Sequence, residues 1–174
     1  MKSIKDYIRT IPDFPEPGIM FRDVTSILQD KDGLKLAIDE IDKKIGDIEF
    51  DSIIGPESRG FIFGVPLAYK LNKAFIPVRK KGKLPGKTVS MDYDLEYGQA
   101  TIEMHKDSIK LGQKIVIVDD LIATGGTIEA IIKLVELLGG EIVKIIFLIE
   151  LNGLNGRDKL KGYDVESIVQ YDDK

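Results

Sequence analysis

The clearest periodicity in the chain changes within a dozen residues. Ile115 to Val118 form an unbroken β-branched run, the pattern of a strand buried on both faces. Beyond it, Ile128, Ile131, Ile132, Val135 and Leu138 recur at helical spacing, with Glu129, Lys133 and Glu136 on the opposite side. The same alternation of strand and helix recurs upstream and downstream. Asp51–Gly55 predicts a short strand, and Phe61–Leu71 an almost wholly apolar helix that bends at Pro66. Ala74–Val78, Thr101–His105 and Glu141–Glu150 predict further strands, and Val165–Val169 a last one at a sheet edge. Gly33–Ile45 predicts a helix from Leu34, Ala37, Ile38, Ile41 and Ile45, with Asp32 as N-cap and Gly46 as stop. At the start, Ile4, Ile8 and Ile11 share one helical face and predict a short helix over Ser3–Ile11. Pro12, Pro15, Pro17 and Gly18 then make Phe14–Asp23 a stiff, apolar, non-helical segment.

Strands near 51, 74, 115 and 142 with helices between them imply an α/β fold: a parallel β-sheet core flanked by helices. In such sheets ligands bind beyond the carboxyl ends of the strands. The length of 174 residues suits one domain with a substantial core. The absence of cysteine removes disulfides and thiolate metal sites. The first residues hold no apolar leader, and no apolar run approaches membrane-spanning length, so a cytoplasmic protein with no membrane association is expected. A net charge of −4 argues against general nucleic-acid affinity, so any polyanion site must come from local clustering of cations.

Such a cluster exists. Arg79, Lys80, Lys81, Lys83 and Lys87 put five positive charges in nine residues, and Gly82, Pro85 and Gly86 supply hinge points. Residues 79–98 form a long excursion between two strands, the length at which a loop is functional or disordered. Glu96 and Tyr97 lie near its end. Asp119 and Asp120 follow the Ile115–Val118 strand directly, and Ala123-Thr124-Gly125-Gly126-Thr127 opens the next helix. A helix N-terminus offers unpaired N–H groups to an anion, glycines admit a phosphate closely, and two threonines add hydroxyl donors. The aspartates suit ribose hydroxyls, a magnesium ion or a developing cation. The turn Pro56-Glu57-Ser58-Arg59-Gly60 is a second candidate anion site. His105 has no partner motif and is expected to be an ordinary half-buried or surface residue.

These segments carry a resemblance. Val116-Ile-Val-Asp-Asp-Leu-Ile-Ala-Thr-Gly-Gly-Thr127 is similar to the phosphoribosyl-pyrophosphate (PRPP) signature of the type I phosphoribosyltransferases. Phe14–Asp23, Glu57–Gly64, Arg79–Gly86, Leu95–Gly98 and Val169–Tyr171 resemble, in order and spacing, the members of that family that use adenine. Glu57 stands where some members carry aspartate.

The resemblance implies one domain over residues 1–174, with a base-binding hood at 1–35 and a mobile lid at 79–98. It implies conversion of adenine and PRPP to AMP and pyrophosphate with Mg²⁺, by a homodimer. By the same resemblance Ala123, Thr124, Gly125, Gly126 and Thr127 hold the 5-phosphate. Ser58, Arg59, Arg79, Lys80 and Lys83 take the pyrophosphate. Asp119 and Asp120 serve the ribose and its oxocarbenium character, with Mg²⁺ held mainly by PRPP, pyrophosphate and water nearby. Glu96 and Tyr97 arrive with the lid, and Glu96 acts on the base nitrogens. Phe21 and Leu151 sandwich adenine, while backbone groups of Met20 and Arg22 select its edge.

Three other readings compete. A PRPP-sensing regulator keeps the binding turn but needs no Glu96-Tyr97 lid. A phosphoribosyltransferase for another purine is opposed by the Phe14–Asp23 segment, through resemblance alone. An RNA site on residues 79–87 is opposed by the acidic overall charge.

Overall fold

The structure is a computed structural model that describes residues 2–95 and 98–173. A 3₁₀ turn at Ile4–Tyr7 precedes Arg9–Pro12 (β1), Met20–Asp23 (β2), Thr25–Leu28 (α1) and Lys31–Ile45 (α2). Next come Ser52–Pro56 (β3), Arg59–Leu71 (α3), Ala74–Lys80 (β4), Thr88–Asp94 (β5) and Gln99–His105 (β6). Lys114–Ile122 (β7), Gly126–Leu137 (α4), Glu141–Leu151 (β8) and Val165–Tyr171 (β9) complete it, with two 3₁₀ turns between β8 and β9. The main sheet has the order β5-β6-β4-β3-β7-β8-β9. From β4 to β9 all pairings are parallel, whereas β5 and β6 form an antiparallel hairpin attached to β4. Strands β1 and β2 make a separate antiparallel pair, the hood.

The period-two rule of a strand is visible in β7. Val116 and Val118 face the core that contains Ile41, Phe63 and Leu67, while Ile115 and Ile117 face the core that contains Ile131, Val135 and Phe147. All four β7 side chains have zero exposure, which fits the uninterrupted β-branched run of a sheet covered on both faces. Among the described residues no helix is long and apolar enough to cross a membrane.

Four expectations change. The Ser3–Ile11 helix shrinks to the Ile4–Tyr7 turn, because Thr10 and Ile11 pair with Arg22 and Phe21 instead. Cross-strand pairing outweighs a weak local helical pattern there. The N-cap of α2 is Asp30, whose carboxylate accepts the N–H groups of Asp32 and Gly33 at 2.8 and 3.1 Å. Strand β7 runs on to Ile122, so both aspartates belong to it, held by pairing with β8. Residues 79–98 are largely ordered strand: β4 runs to Lys80, and Thr88–Asp94 pairs with Gln99–His105.

The cationic turn between these strands has its own anchor. Glu103 is 5% exposed, and its Oε1 accepts the N–H groups of Gly82 and Leu84 at 3.0 and 3.1 Å. A buried carboxylate that accepts two backbone donors fixes a turn otherwise full of like charges.

Candidate active site

The carboxyl ends of β3, β4 and β7 open onto one cleft of about 450 Å³. Ser58, Arg59, Arg79, Lys80, Asp119, Asp120 and Thr127 all line it. A smaller cavity of about 100 Å³ adjoins it, lined by Asp119 and by Ala123 through Ile128. Three segments that lie far apart in the chain, around 58, 79 and 119–128, therefore share one site at the sheet edge.

Asp119 and Asp120 are 9% and 4% exposed. The Asp120 N–H donates to Asp119 Oδ1 at 2.8 Å, and Arg59 Nε stands 2.7 Å from Asp120 Oδ2. Burial, followed by the charge of Asp120, raises the Asp119 pKa well above the usual carboxylate value. The Arg59 guanidinium opposes that shift without cancelling it. Gly60 permits this close approach of α3 to β7, since a Cβ there would meet Pro56 Cδ at 2.7 Å and Asp119 Oδ1 at 3.1 Å.

The turn before α4 is equally tight. Gly125 has φ +80° and caps a helix of twelve residues whose first N–H groups lack intrahelical partners. A Cβ on Gly125 would lie 2.5 Å from the Gly156 carbonyl oxygen, and one on Gly156 would lie 2.4 Å from the Ala123 oxygen. Two backbone segments thus press together, and only glycine fits at either place. The last residues of β5 come against the same turn, because a Cβ on Gly126 would lie 3.3 Å from the Asp94 oxygen.

Glu57 organises the cationic side. Its Oε1 accepts the Lys80 N–H at 2.6 Å and lies 3.5 Å from Arg79 Nε. The Glu57–Ser58 peptide is cis, as is Phe14–Pro15. Lys83 is exposed and lines neither cavity; its carbonyl accepts from Arg79 Nη1 at 3.4 Å.

Met20, Phe21, Arg22 and Leu151 are half-buried and line neither cavity. They are nonetheless linked. Leu151 pairs with Tyr171 across β8 and β9, and the Arg22 guanidinium lies 3.8 Å from the Tyr171 ring centroid. Glu96 and Tyr97 lie outside the described residues.

The sequence pattern missed several parts. Tyr93, Ile102 and Leu121 also line the cleft. Glu150, 6% exposed, is bound by Arg157 Nε at 2.6 Å and Nη2 at 2.8 Å and accepts from Ser167 Oγ at 2.5 Å. Burial opposes ionisation there, but the Arg157 and Ser167 hydrogen bonds outweigh it and lower the Glu150 pKa. This pair fastens the 3₁₀ segment that carries Gly156. Its one sequence signal is the second Asn-Gly, Asn155-Gly156, after β8.

Among the described residues no group of three or more His, Cys, Asp or Glu side chains could cage a metal. Two adjacent carboxylates beside a cationic cleft fit Mg²⁺, which keeps water and phosphate oxygens as most of its ligands. A roomier groove of about 620 Å³ lies elsewhere, between the first residues, α2 and β9. It touches none of these groups.

Comparison with known proteins gives a consistent result. The family model for the phosphoribosyl transferase domain matches residues 23–173. An adenine phosphoribosyltransferase of Lachnoclostridium phytofermentans is 71% identical over 171 residues, which is 98% of each chain. The crystal structure of adenine phosphoribosyltransferase from Thermoanaerobacter pseudethanolicus superposes with a TM-score of 0.93 at 54% identity, over 97% of this chain and 98% of that one. The Saccharomyces cerevisiae enzyme, solved with adenine and an imino-altritol bisphosphate, gives a TM-score of 0.90 at 38% identity, over 95% and 96%.

Proposed function

This chain belongs to the phosphoribosyl transferase domain family, and from that premise we infer that it converts adenine and PRPP to AMP and pyrophosphate. The observation that carries the inference is the shared cleft: buried strand-end aspartates stand between a glycine-capped helix N-terminus and a cationic wall. One face accepts a phosphate, the opposite face a diphosphate, and the carboxylates stand between.

Cleavage of the C1–pyrophosphate bond leaves positive charge on the ribosyl ring and negative charge on the leaving group. Catalysis is then positioning and electrostatic stabilisation. Ala123 through Thr127 hold the 5-phosphate, a role supported by the α4 N-terminus behind them. Asp119 and Asp120 hold the ribose hydroxyls and face the cationic ring. Ser58, Arg59, Arg79 and Lys80 receive the pyrophosphate, which their place in the cleft supports. Lys83, whose carbonyl meets Arg79 Nη1 at 3.4 Å, adds its charge to the same cationic side. Asp119 and Asp120 would stand beside a Mg²⁺ ion carried in with the diphosphate, and the ion would supply positive charge to the leaving group.

Phe21 and Leu151 sandwich adenine, and backbone groups of Met20 and Arg22 distinguish its amino group from an oxo group. Residues 79–98 act as a lid that brings Glu96 and Tyr97 over the reacting centre and excludes water. Glu96 exchanges a proton with the base. The chain works as one domain, with residues 1–35 as the hood, in the cytoplasm and as a homodimer.

The test is a purine panel assayed by absorbance with PRPP and Mg²⁺, each component omitted in turn. The expected result is pyrophosphate release with adenine, and a far slower reaction with hypoxanthine or guanine. Equal turnover of all three bases, or none, defeats the assignment.

A further inference from the structure

Among the described residues, the hood is a two-stranded sheet with no hydrogen-bonded strand of the main sheet beside it. A lone strand pair is marginal in water, so side-chain contacts must set its position. Residues 171–173, which follow from β9, reach both the hood and the loop after β8.

On the hood side, Arg22 is the recipient. Its side chain is 10% exposed, lies over the Tyr171 ring and is paired with the Asp173 carboxylate. Arg22 Nη1 also donates to Thr10 Oγ1 on β1 at 2.6 Å, so the same guanidinium ties both hood strands together. A nearly buried cation needs a charged partner, and Asp173 provides it. On the other side, Asn152 Nδ2 donates to Asp172 Oδ1 at 2.9 Å. The backbone passes so near Gly153 that a Cβ there would lie 3.1 Å from the Asp172 oxygen.

Arg22 adjoins Phe21, and Asn152 adjoins Leu151. Three consecutive residues therefore grip the immediate neighbours of both side chains assigned above to the faces of adenine. We propose that Tyr171, Asp172 and Asp173 form a positioning strap that sets the gap between Phe21 and Leu151, and so tunes affinity for the base without touching it. This rests on the reading of Phe21 and Leu151 as the walls of the base site. The strap's effect is confined to the base because the PRPP groups belong to the ends of β3, β4 and β7, apart from it.

The experiment uses the full chain with Mg²⁺ and compares wild type, the Asp172→Ala/Asp173→Ala double variant, Asp173→Ala, Asp173→Glu and Phe21→Ala. Steady-state constants are measured for adenine and PRPP separately, with thermal unfolding alongside. Misplacing one wall of a binding slot is expected to raise the adenine KM of the double variant about tenfold. The PRPP KM should stay within about twofold and kcat should change less than the adenine KM. Asp173→Glu, which keeps the charge, should recover most of what Asp173→Ala loses. The strap is refuted by an unchanged adenine KM in the double variant, by parallel rises in both KM values, or by Asp173→Glu behaving like Asp173→Ala. Phe21→Ala separates the two levels. An unchanged adenine KM there removes the base-site reading and the strap with it. A raised KM there beside a normal double variant removes the strap alone.

Discussion

Asp119 is a buried carboxyl whose surroundings work against its charge. Its folded-state pKa is raised by burial first and by the neighbouring Asp120 charge second. The folded chain thus holds that proton to higher pH than the unfolded chain does. Stability is therefore lost as pH climbs from the ordinary value of 3.8 through the raised one. Asp119→Asn puts a neutral amide in place of the buried carboxyl, so we expect a higher Tm at pH values above the raised pKa, by about 2–4 °C for each kcal/mol recovered. That gain should fade on acidification, as the native carboxyl takes up its proton. On the proposed role of Asp119, turnover should fall on the order of 10²-fold or more, since a carboxylate is lost opposite the cationic ring. Calorimetry at several pH values beside initial rates checks both; a lower Tm with normal turnover contradicts the account. Gly125 and Gly156 make the complementary point. Their side-chain-free contact is dictated by carbonyl oxygens 2.4–2.5 Å from any added Cβ, and no local propensity reveals it.

At the scale of elements, the segment 79–98 is the instructive one. Its charge, glycines and proline read as a loop, yet β5 forms because Val89, Met91 and Tyr93 pack on the core at alternate positions. The charged residues Asp92 and Asp94 face outward. The cationic turn is held by Glu103 on the neighbouring strand. Glu103→Ala strands two backbone donors, which is expected to cost about 1–3 kcal/mol and to scatter the cations. Several-fold weaker PRPP binding should follow, with adenine little affected, and Glu103→Gln should keep much of the effect of the native side chain. Titration calorimetry with PRPP together with urea unfolding measures this; unaltered affinity in Glu103→Ala severs the turn from PRPP. Helix α3 tells the opposite story. Its apolar run was legible, and Pro66 does not end it, since the helix extends to Leu71.

At the scale of the molecule, the homodimer of the proposal has a direct check: sedimentation should give about twice the 19.4 kDa chain mass, and a stable monomer with full activity rejects it. The parallel core of the sheet, its order of strand and helix, and the glycine turn before α4 were all determined by the sequence alone. Hydrophobic period and turn chemistry are local, and Ile115–Val118 followed by Asp119, Asp120 and a Thr-Gly-Gly-Thr turn declares both within thirteen residues. Ser58, Arg59, Arg79 and Lys80 were also named in advance, because each stands just after a predicted strand. What only the tertiary structure decided is what long-range contact decides. Thr10 and Ile11 joined a strand because Arg22 and Phe21 were there to pair with. Buried Glu150 and half-exposed Arg157 became a brace, Gly156 a wall behind the turn before α4, and residues 171–173 a link between hood and β8 loop. Each depends on two segments that meet in space, up to 151 positions apart for Arg22 and Asp173, and no window of sequence contains both.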